Sequence, residues 1–486
     1  MGSVLNSIDY KGIFKFFEEI CGIPHGSKNN KEISDYLISF AKSRGLECHQ
    51  DEYLNVVIVK EATKGYEDKP TVIIQGHMDM VCEKRPEIEH DFIKDGLELV
   101  IDGDFIHANG TTLGGDDGIA VAYALAILDD DSLIHPRLEV VVTTDEEIGM
   151  DGAAGLDTSS LQGKYFLNID SEEEGILLSS SAGGLTGTCT IPLEFEEKEG
   201  STYQINISGL QGGHSGAEIH KNRTNASLLM GRLLFDLGKK LSYSLVEVNG
   251  GLKDNTIPRE STAKVLIKDK DKELLKETMD SLTGDYTNEL KTSEPGLKVE
   301  LELLDEKKAK VLNEKTYKNV MTMLLYTPNG VQAFSSDIEG LVESSLNLGI
   351  LSMEDDKIIF SYSVRSSLSS YKRFLSDKLE NLAKLLGGTY IARGDYAAWE
   401  YKKDSKLRDT LVKVYKEDYG EEPKIEAIHA GLECGLFAGK MKDLDLISFG
   451  PDMYDIHTPD EKLSISSAKR VFDFLVHSLE ALCEVE

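Results

Sequence analysis

Histidine and carboxylate side chains, which commonly bind divalent metal ions, stand in five widely separated segments of this chain. The segments are Gly-His-Met-Asp (His77, Asp79), Gly-Gly-Asp-Asp-Gly (Asp116), Thr-Thr-Asp-Glu-Glu (Glu146, Glu147), Asn-Ile-Asp (Asp170) and Tyr-Asp-Ile-His-Thr-Pro (His457). Carboxylates brought together without cations would repel one another and take up protons, and two divalent ions would relieve that repulsion. A mixed set of this kind is what a two-zinc hydrolytic site requires.

Most of these residues follow a short apolar run of the kind that forms a buried strand. In open α/β sheets, ligands bind beyond the carboxyl ends of the strands, so one sheet edge could gather the whole set. His77 and Asp79 are two residues apart and face the same way in an extended backbone, which lets Asp79 assist His77. The predicted strands are Thr71–Gln75, Leu138–Thr144, Tyr165–Ile169 and Leu446–Phe449.

Asp116 is placed differently, because it precedes a run that reads as a buried helix. The run from Gly118 to Leu128 is rich in alanine and leucine. The preceding Gly114-Gly115 pair gives the backbone freedom to turn. We therefore expect Asp116 at the N-terminus of a helix.

Taken singly, each candidate has an ordinary structural explanation. A lone His77 or His457 is more often a hydrogen-bonded structural histidine than a ligand, and Asp116 alone is more often a helix cap. The pair Glu146-Glu147 alone is usually a solvated turn. The joint interpretation is favoured because all of these residues fall in loops that one sheet edge could bring together.

Composition excludes several classes of function. The 486 residues include 53 Lys and Arg against 85 Asp and Glu, and the resulting net charge of −32 argues against binding to nucleic acid or to an anionic membrane. No apolar stretch approaches the length of a membrane span. A redox or nucleotide-binding enzyme is poorly supported, since the chain has neither a strand-anchored Gly-x-Gly-x-x-Gly nor a P-loop.

The cysteines and the N-terminal segment favour a cytoplasmic protein. Six cysteines are scattered without paired spacing, which is typical of reduced thiols. The first residues lack the basic start and the apolar run of a signal peptide. We therefore expect a cytoplasmic location.

The order of strand and helix signals along the sequence predicts one domain interrupted by another. Strand and helix signals alternate up to about Ser181 and return after about Arg393, whereas the middle of the chain mixes alternating strands with separate helices. Because His457 must meet His77 in one site, the middle segment must be an insertion. The predicted division is 1–185 and 397–486 for the catalytic domain and 186–396 for the insertion.

Five motifs together resemble the dimetal peptidases of clan MH, which include aminoacylases, carboxypeptidase G-type enzymes and carnosinases. The resemblance is strongest to the branch of bacterial aminoacyl-histidine dipeptidases (cytosol non-specific dipeptidases) and runs from about Tyr10 to the C-terminus. It implies an α/β fold, in which a mixed-sheet zinc-peptidase catalytic domain is interrupted by an inserted α+β lid domain. The motifs are Gly-His-Met-Asp-Met-Val-Cys-Glu-Lys, Gly-Gly-Asp-Asp-Gly-Ile, Asp-Glu-Glu-Ile-Gly-Met, Gly-Gly-His-Ser-Gly and His-Ala-Gly-Leu-Glu-Cys-Gly.

The resemblance implies a role for each residue of the metal set. One zinc would be held by His77 and Asp170, the other by Glu147 and His457, and Asp116 would bridge the two. Glu146 would be the general base that deprotonates the bridging water. Asp79 would orient His77 and tune its basicity, as metal-bound histidines generally require. The expected cofactors are two divalent ions per chain, zinc in the first place, with cobalt or manganese able to substitute.

The resemblance also implies roles for residues outside this set. His214 would stabilise the tetrahedral oxyanion, Asn255 and Arg365 would hold the C-terminal carboxylate of the substrate, and Gly431 and Gly435 would let the substrate backbone approach. Without the resemblance, the segment around His214 would be interpreted as a glycine-rich turn. The segments around Asn255 and Arg365 would be interpreted as a polar turn and the end of a surface strand. His429 and Glu433 are expected to support the site or the fold.

The function implied is that of a dizinc metallopeptidase acting as a dipeptidase. It would hydrolyse dipeptides with a free C-terminal carboxylate, with Xaa-His and β-alanyl-histidine among the expected substrates, by attack of the bridging water. An N-acyl amino acid amidohydrolase of the same fold and a non-catalytic metal-binding scaffold are the alternatives, and the retention of Glu146 and Asp79 counts against the scaffold. A homodimer, and whether His214 would act within its own chain or across it, are left open.

Overall fold

The structure is a computed structural model that describes residues 4–304 and 307–485. The helices are α1 Ile13–Cys21, α2 Lys31–Ser43, α3 Gly115–Asp129, α4 Asp151–Gly155, α5 Ala226–Gly238, α6 Lys272–Leu290, α7 Glu314–Tyr326, α8 Ser369–Leu385, α9 Lys406–Tyr419, α10 Glu433–Lys440 and α11 Ile465–Leu482. Short 3-10 turns occur at Leu5–Ser7, Thr158–Ser160, Ile219–Lys221 and Asp269–Asp271.

The strands follow one another along the chain in this order: β1 Glu47–Gln50, β2 Val56–Lys60, β3 Val72–His77, β4 Leu99–Asp102, β5 Phe105–Ala108, β6 Leu138–Thr143, β7 Tyr165–Asn168, β8 Ile176–Ser181, β9 Gly183–Pro192, β10 Phe195–Glu199, β11 Ser201–Ser208, β12 Gly213–His214, β13 Tyr243–Gly250, β14 Thr256–Ile257, β15 Ser261–Ile267, β16 Lys298–Leu304, β17 Lys308–Leu312, β18 Gly330–Phe334, β19 Val342–Met353, β20 Lys357–Ser366, β21 Thr389–Tyr396, β22 Lys424–Ile428, β23 Asp445–Ser448, β24 Met453–Tyr454 and β25 Lys462–Ser464.

The described chain forms two compact units. The first contains the residues up to Ser180, Tyr401–Ala427 and the residues from Leu432 onward, and the second contains Ser181–Glu400 and Ile428–Gly431. These divisions differ from the predicted ones at 185/186 and 396/397, and residues 428–431, predicted to belong to the catalytic domain, lie in the second unit. Backbone hydrogen bonds explain the difference: Ser181 exchanges bonds of 3.0 and 3.1 Å with Trp399, and the Ala182 amide donates to Ile428 at 3.1 Å.

The first unit is built on a mixed sheet whose strand order is β1-β2-β6-β3-β7-β23-β8-β22. The four neighbouring strands β6, β3, β7 and β23 are parallel, while β2 and β8 pair with them in the antiparallel direction. Strands β3, β6, β7 and β23 are buried throughout their lengths. The carboxyl ends of the four parallel strands therefore meet at one edge, as the sequence predicts.

Helix α3 is the central helix of the first unit. Every residue from Gly115 to Leu128 is buried, as the alanine- and leucine-rich sequence predicts. The Cβ position of Gly118 lies 3.3 Å from the ring of Phe17 on α1, so this glycine lets the two helices approach closely. The apolar core of the unit extends from α1 through α3 to α11.

The second unit is an α+β layer structure. Its main sheet has the order β16-β11-β15-β13-β19-β20-β9-β21, with β18 paired to β19, and these neighbouring strands run antiparallel. Apolar residues of helices α5, α6, α7 and α8 share one buried core with this sheet. Among the described residues, every helix is too short or too polar to cross a lipid bilayer.

Candidate functional site

The metal-ligand candidates of the first unit lie at the carboxyl-terminal edge of its parallel strands. His77 is the last residue of β3, and Glu146, Glu147 and Asp170 lie two to four residues beyond the ends of β6 and β7. The chain from β23 reaches His457, which lies three residues after β24 and has a left-handed backbone with a φ of 60°. The structure brings these side chains together although they are up to 380 residues apart (457 minus 77).

Asp116 lies between two histidines, and each of its carboxylate oxygens faces one of them. Its Oδ1 is 3.1 Å from His77 Nε2, and its Oδ2 is 3.1 Å from His457 Nε2. On the His77 side, Asp170 Oδ1 lies 3.5 Å from the same ring nitrogen. On the His457 side, Glu147 Oε1 lies 3.0 Å from the ring nitrogen. The result is two three-residue groups that share one carboxylate.

His77 is held so that its Nε2 faces the acidic groups. Its Nδ1 donates to the backbone carbonyl of Asp79 at 2.9 Å, and the Asp79 carboxylate oxygen Oδ1 is farther away, at 3.6 Å. The carboxylate of Asp79 accepts instead from the Ser27 hydroxyl at 2.8 Å and from the Glu146 amide at 3.1 Å. Asp79 thus orients His77 mainly through its main chain and fixes the backbone of Glu146 with its side chain.

The loop that carries Glu146 and Glu147 is fixed from two directions. The backbone amide of Glu146 donates to the carboxylate of Asp79. The preceding residue, Asp145, accepts from the Lys28 amide at 2.6 Å and from the Asn30 side chain at 2.7 Å. The Glu147 side chain is 6% exposed, so both glutamates lie in a largely dehydrated place.

The charge state of this cluster is strongly perturbed. Burial raises the pKa of Glu146 to about 9, with the neighbouring Asp170, Glu433 and Glu147 adding to the rise and His77 opposing it. Burial likewise raises the pKa of Asp170 to about 7. Hydrogen bonds to Asp116 and Glu147 raise the pKa of His457 to about 10. Protons therefore serve as the counter-charges of this acidic cluster when no other cation is bound.

The donor set of the cluster fits divalent metal ions. Ligand atoms of three groups lie within 4.8 Å of one another: His77 with Asp116 and Asp170, Asp116 with Glu147 and His457, and His77 with Glu146 and Glu147. Imidazole nitrogens and carboxylate oxygens suit zinc, cobalt and manganese. The third group shows that Glu146 as well as Glu147 lies close enough to bind a metal. Geometry alone therefore does not decide which of the two glutamates is the metal ligand and which is the general base.

Metal-free protein is expected to lose stability as the pH rises from about 5 to about 9. The pKa values of Glu146, Asp170 and His457 are higher in the fold than their ordinary values of 4.5, 3.8 and 6.5. The folded state therefore binds more protons than the unfolded state, and its stability falls as those protons leave. Bound divalent ions would replace the protons and remove this dependence. Urea unfolding midpoints of chelated and metal-loaded protein across this range test the expectation, and a midpoint that stays level in chelated protein contradicts it.

In the second unit, His214 and Asn255 lie next to each other on a two-stranded ribbon. Strand β12 pairs with β14 so that His214 is opposite Thr256. The Ser215 amide donates to the Asn255 carbonyl at 2.8 Å. Both His214 and Asn255 are exposed. The glycine-rich segment is thus one side of a tight ribbon that presents both side chains.

The tautomer of His214 is fixed by its own turn. The amides of Gly216 and Ala217 donate to His214 Nδ1 at 3.2 and 3.1 Å. Partial desolvation of the ring, together with the nearby Arg365, lowers the pKa of His214 and favours the neutral ring. Because Nδ1 accepts hydrogen bonds, the single ring proton lies on Nε2. His214 therefore presents a hydrogen-bond donor.

Arg365 converges with His214 around Gly216. A Cβ atom on Gly216 would lie 3.0 Å from His214 Cε1 and 3.2 Å from Arg365 Cζ. Arg365 donates to the Tyr396 hydroxyl at 3.2 Å, while its buried Nε has no hydrogen-bond partner among the described residues. An unpaired guanidinium nitrogen beside a neutral histidine donor is a fitting place for an anionic group.

The two glycines predicted to admit the substrate backbone lie in different units. Gly435 is buried in α10 of the first unit, whereas Gly431 belongs to the second. A Cβ on Gly431 would lie 2.8 Å from the ring of Tyr396, so a larger residue there would have to displace this ring. His429 Nε2 lies 2.7 Å from the Ser345 hydroxyl, in contact with the strand that pairs with Arg365.

Sequence reasoning missed one residue that contacts Arg365: Tyr396 binds it, and no motif marks Tyr396. Glu433 was expected to support the site or the fold, and it is fully buried and accepts from Gln75 Nε2 at 2.5 Å and from the Thr143 hydroxyl at 2.6 Å. The signal for Glu433 was available, because Gln75 is a polar residue inside an otherwise apolar strand.

Comparison with known proteins identifies the family. The model of peptidase family M20/M25/M40 matches residues 73–481. The cytosol non-specific dipeptidase of Escherichia coli strain K12 is 36% identical over 482 residues, which cover 99% of each chain. The crystal structure of aminoacylhistidine dipeptidase from Vibrio alginolyticus superposes with a TM-score of 0.92 at 37% identity, over 97% of this chain and 96% of that one.

A more distant structure shares the fold alone. Aminopeptidase PepT from Bacillus cereus is 15% identical and has a TM-score of 0.56, over 98% of this chain and 99% of that one. The family match and the full-length relative confirm the resemblance and the fold that the five motifs predict. The chain therefore belongs to peptidase family M20/M25/M40 and is a metallopeptidase of that family.

Proposed function

We propose that this enzyme is a dipeptidase that requires two divalent metal ions and hydrolyses dipeptides with a free C-terminal carboxylate. The names of its two full-length relatives, a cytosol non-specific dipeptidase and an aminoacylhistidine dipeptidase, support this substrate class. The second name supports Xaa-His dipeptides, β-alanyl-histidine included, among the substrates.

The observation that carries the proposal is the sharing of Asp116. Its two carboxylate oxygens lie 3.1 Å from His77 Nε2 and 3.1 Å from His457 Nε2. His77, Asp116 and Asp170 would hold one ion, and Asp116, Glu147 and His457 the other. Two divalent ions bound there would lower the pKa of a water molecule and polarise the scissile carbonyl.

Glu146 is the residue proposed to move the proton. Its carboxylate lies within the cluster, and its backbone is fixed by Asp79. Taking a proton from the attacking water and giving it to the leaving amine is the work of a general base that then acts as an acid. Burial raises the pKa of Glu146 to about 9 in the metal-free chain, and two bound cations beside it would lower that pKa by favouring the charged form that accepts a proton.

The residues of the second unit are proposed to recognise the substrate. Arg365, with a free Nε, and Asn255, on the exposed ribbon, would bind the terminal carboxylate. His214 would donate a hydrogen bond from its Nε2–H group to the oxyanion of the tetrahedral intermediate. A bound terminal carboxylate would limit the length of the leaving side of the substrate, so we expect peptides with a free C-terminal carboxylate to be preferred.

The preferred metal is proposed to be zinc, because sites built from histidine and carboxylate ligands are typical of zinc. Cobalt and manganese accept the same donors. A cytoplasmic location is proposed from the name of the Escherichia coli relative, and the six cysteines are free in the described chain.

A substrate panel tests this function. Chelated and metal-reloaded protein should be assayed on dipeptides, tripeptides and N-acetylated amino acids. We expect metal-dependent hydrolysis of dipeptides with a free amino end. Faster hydrolysis of the N-acetylated amino acids would identify an amidohydrolase instead, and metal binding without any hydrolysis would identify a scaffold.

The carboxylate site makes a second, sharper prediction. Dipeptides whose C-terminus is amidated should be cut more slowly than the free acids, on the order of 10²-fold in kcat/KM, since loss of one partner of a charged hydrogen-bonded pair costs a few kcal/mol. In Arg365→Met this preference should largely disappear, because the variant lacks the cation that distinguishes acid from amide. Equal rates on acids and amides in the unmodified enzyme would refute the carboxylate site.

A further inference from the structure

One carboxylate outside the proposed ligand set binds the backbone that carries Asp116. Glu461 accepts hydrogen bonds from four consecutive amides, those of Leu113 at 2.7 Å, Gly114 at 3.1 Å, Gly115 at 2.8 Å and Asp116 at 3.4 Å. The side chain is buried, with 3% of Glu461 exposed. These four amides belong to the segment that enters helix α3.

The segment needs this partner because its own sequence offers none. The first amides of a helix have no partner within the helix, and Gly114, which precedes α3, has no side chain to cap them. A Cβ on Gly115 would lie 3.3 Å from Glu461 Oε1 and 3.2 Å from Met453 Sδ. Gly115 therefore lets the carboxylate approach the backbone closely.

Glu461 also belongs to the turn that carries His457. The Glu461 amide donates to the Thr458 carbonyl at 3.1 Å, and the Thr458 hydroxyl donates to the Asp455 carbonyl at 2.7 Å. His457 itself has a left-handed backbone within this turn. Glu461 thus contacts the backbone of Asp116 and lies in the same short turn as His457. The side chains of Asp116 and His457 are themselves 3.1 Å apart.

We propose that Glu461 is a positioning residue for the metal centre, which holds Asp116 and His457 at the spacing that lets two ions share the Asp116 carboxylate. The inference rests on the proposed function, in which Asp116 is the shared ligand. Glu461 is not proposed to touch the metal ions or the substrate.

The identity of the residue supports positioning over simple helix capping. Serine or asparagine would cap a helix without adding a negative charge beside an acidic cluster. A carboxylate has two oxygens and can accept from all four amides at once. The negative charge that Glu461 adds is therefore offset where four amides of the segment Leu113–Asp116, and not a single amide, have to be bound.

The test compares Glu461→Gln with Glu139→Gln. Glu139 is a matched control, because it is 1% exposed and accepts from the backbone amides of Gln162 and Gly163 at 3.0 Å, near the start of β6 and away from the ligands at its far end. Zn2+ affinity of chelated protein is measured by competition with a chromophoric chelator, and stability by thermal unfolding of the metal-free chain.

We expect Glu461→Gln to weaken Zn2+ binding roughly 10- to 100-fold, as is typical when a group that supports a metal ligand is lost. Glu139→Gln should leave the affinity within about 2-fold of the unmodified protein even where both variants lower the unfolding temperature. Unchanged affinity in Glu461→Gln, or an equal loss in both variants, would overturn the inference. If Glu461→Gln does not fold, Glu461→Asp, which keeps the charge and withdraws it by one methylene, gives the same comparison.

A third variant separates this inference from the proposed function. Asp116→Ala should lose at least one of the two ions. If Asp116→Ala binds two Zn2+ with unchanged affinity, the proposed metal centre is wrong. If Asp116→Ala loses metal while Glu461→Gln does not, only the positioning role of Glu461 is wrong.

Discussion

Replacement of Glu146 by glutamine is expected to remove most of the turnover while both metal ions stay bound. The variant keeps the size of the side chain and its place beside Asp79, but it removes the group proposed to accept the water proton. Loss of a general base typically costs about 10²–10⁴-fold. The measurement is kcat on a good dipeptide substrate, together with elemental analysis of the same sample.

Glu147→Gln is the matched control, because the two glutamates are neighbours and both lie close enough to bind a metal. Glu147 faces His457 at 3.0 Å and is the proposed ligand. The control should lose metal affinity, and its activity should recover in part at high metal concentration. If Glu146→Gln loses the metal and Glu147→Gln keeps it, the roles of the two glutamates are reversed.

Replacement of His214 by alanine is expected to lower kcat on the order of 10²-fold or more, with a smaller change in KM. Its ring is neutral and donates through Nε2, because Nδ1 accepts from the Gly216 and Ala217 amides. A donor that meets an oxyanion acts on the transition state more than on bound substrate, and loss of one such donor costs 10²–10³-fold. Steady-state kinetics on dipeptides and metal analysis give the two readouts.

His220 provides the control for this experiment. It is an exposed histidine of the same unit, in the 3-10 turn Ile219–Lys221, and no role is proposed for it. His220→Ala should leave kcat within about 2-fold, as surface substitutions generally do. Near-normal kcat in His214→Ala would mean that this segment is an ordinary glycine-rich turn.

Mixing His214→Ala with Glu146→Gln protein tests whether His214 acts within its own chain or across a homodimer. Activity recovered in the mixture requires that one chain of a homodimer supplies His214 to the other.

The strands and the ligand cluster could be predicted because they follow from local pattern. Predicted strands such as 71–75 and 138–144 are rich in apolar residues and long enough to be buried, and a polar residue just past each of them must lie at the sheet edge. The structure places these strands within one or two residues of the predicted bounds. The helix after Asp116 was equally visible, because an alanine- and leucine-rich run without polar residues has to be buried.

Contacts that join distant parts of the chain could not be predicted in this way. Glu461 binds backbone amides, and backbone groups leave no residue-specific trace in a sequence. The ring of Tyr396 occupies the space beside Gly431, yet the pair has no recognisable spacing. The assignment of 428–431 to the second unit depends on a backbone hydrogen bond between Ala182 and Ile428, which only the fold reveals.

Anomalous X-ray diffraction at the zinc absorption edge, from crystals of zinc-loaded active enzyme, tests the central claim most directly. The account predicts two anomalous peaks per chain, one on each side of the Asp116 carboxylate: the first within bonding distance of His77 and Asp170, the second within bonding distance of Glu147 and His457. A single peak at saturating zinc, or two peaks of which only one contacts Asp116, would contradict it.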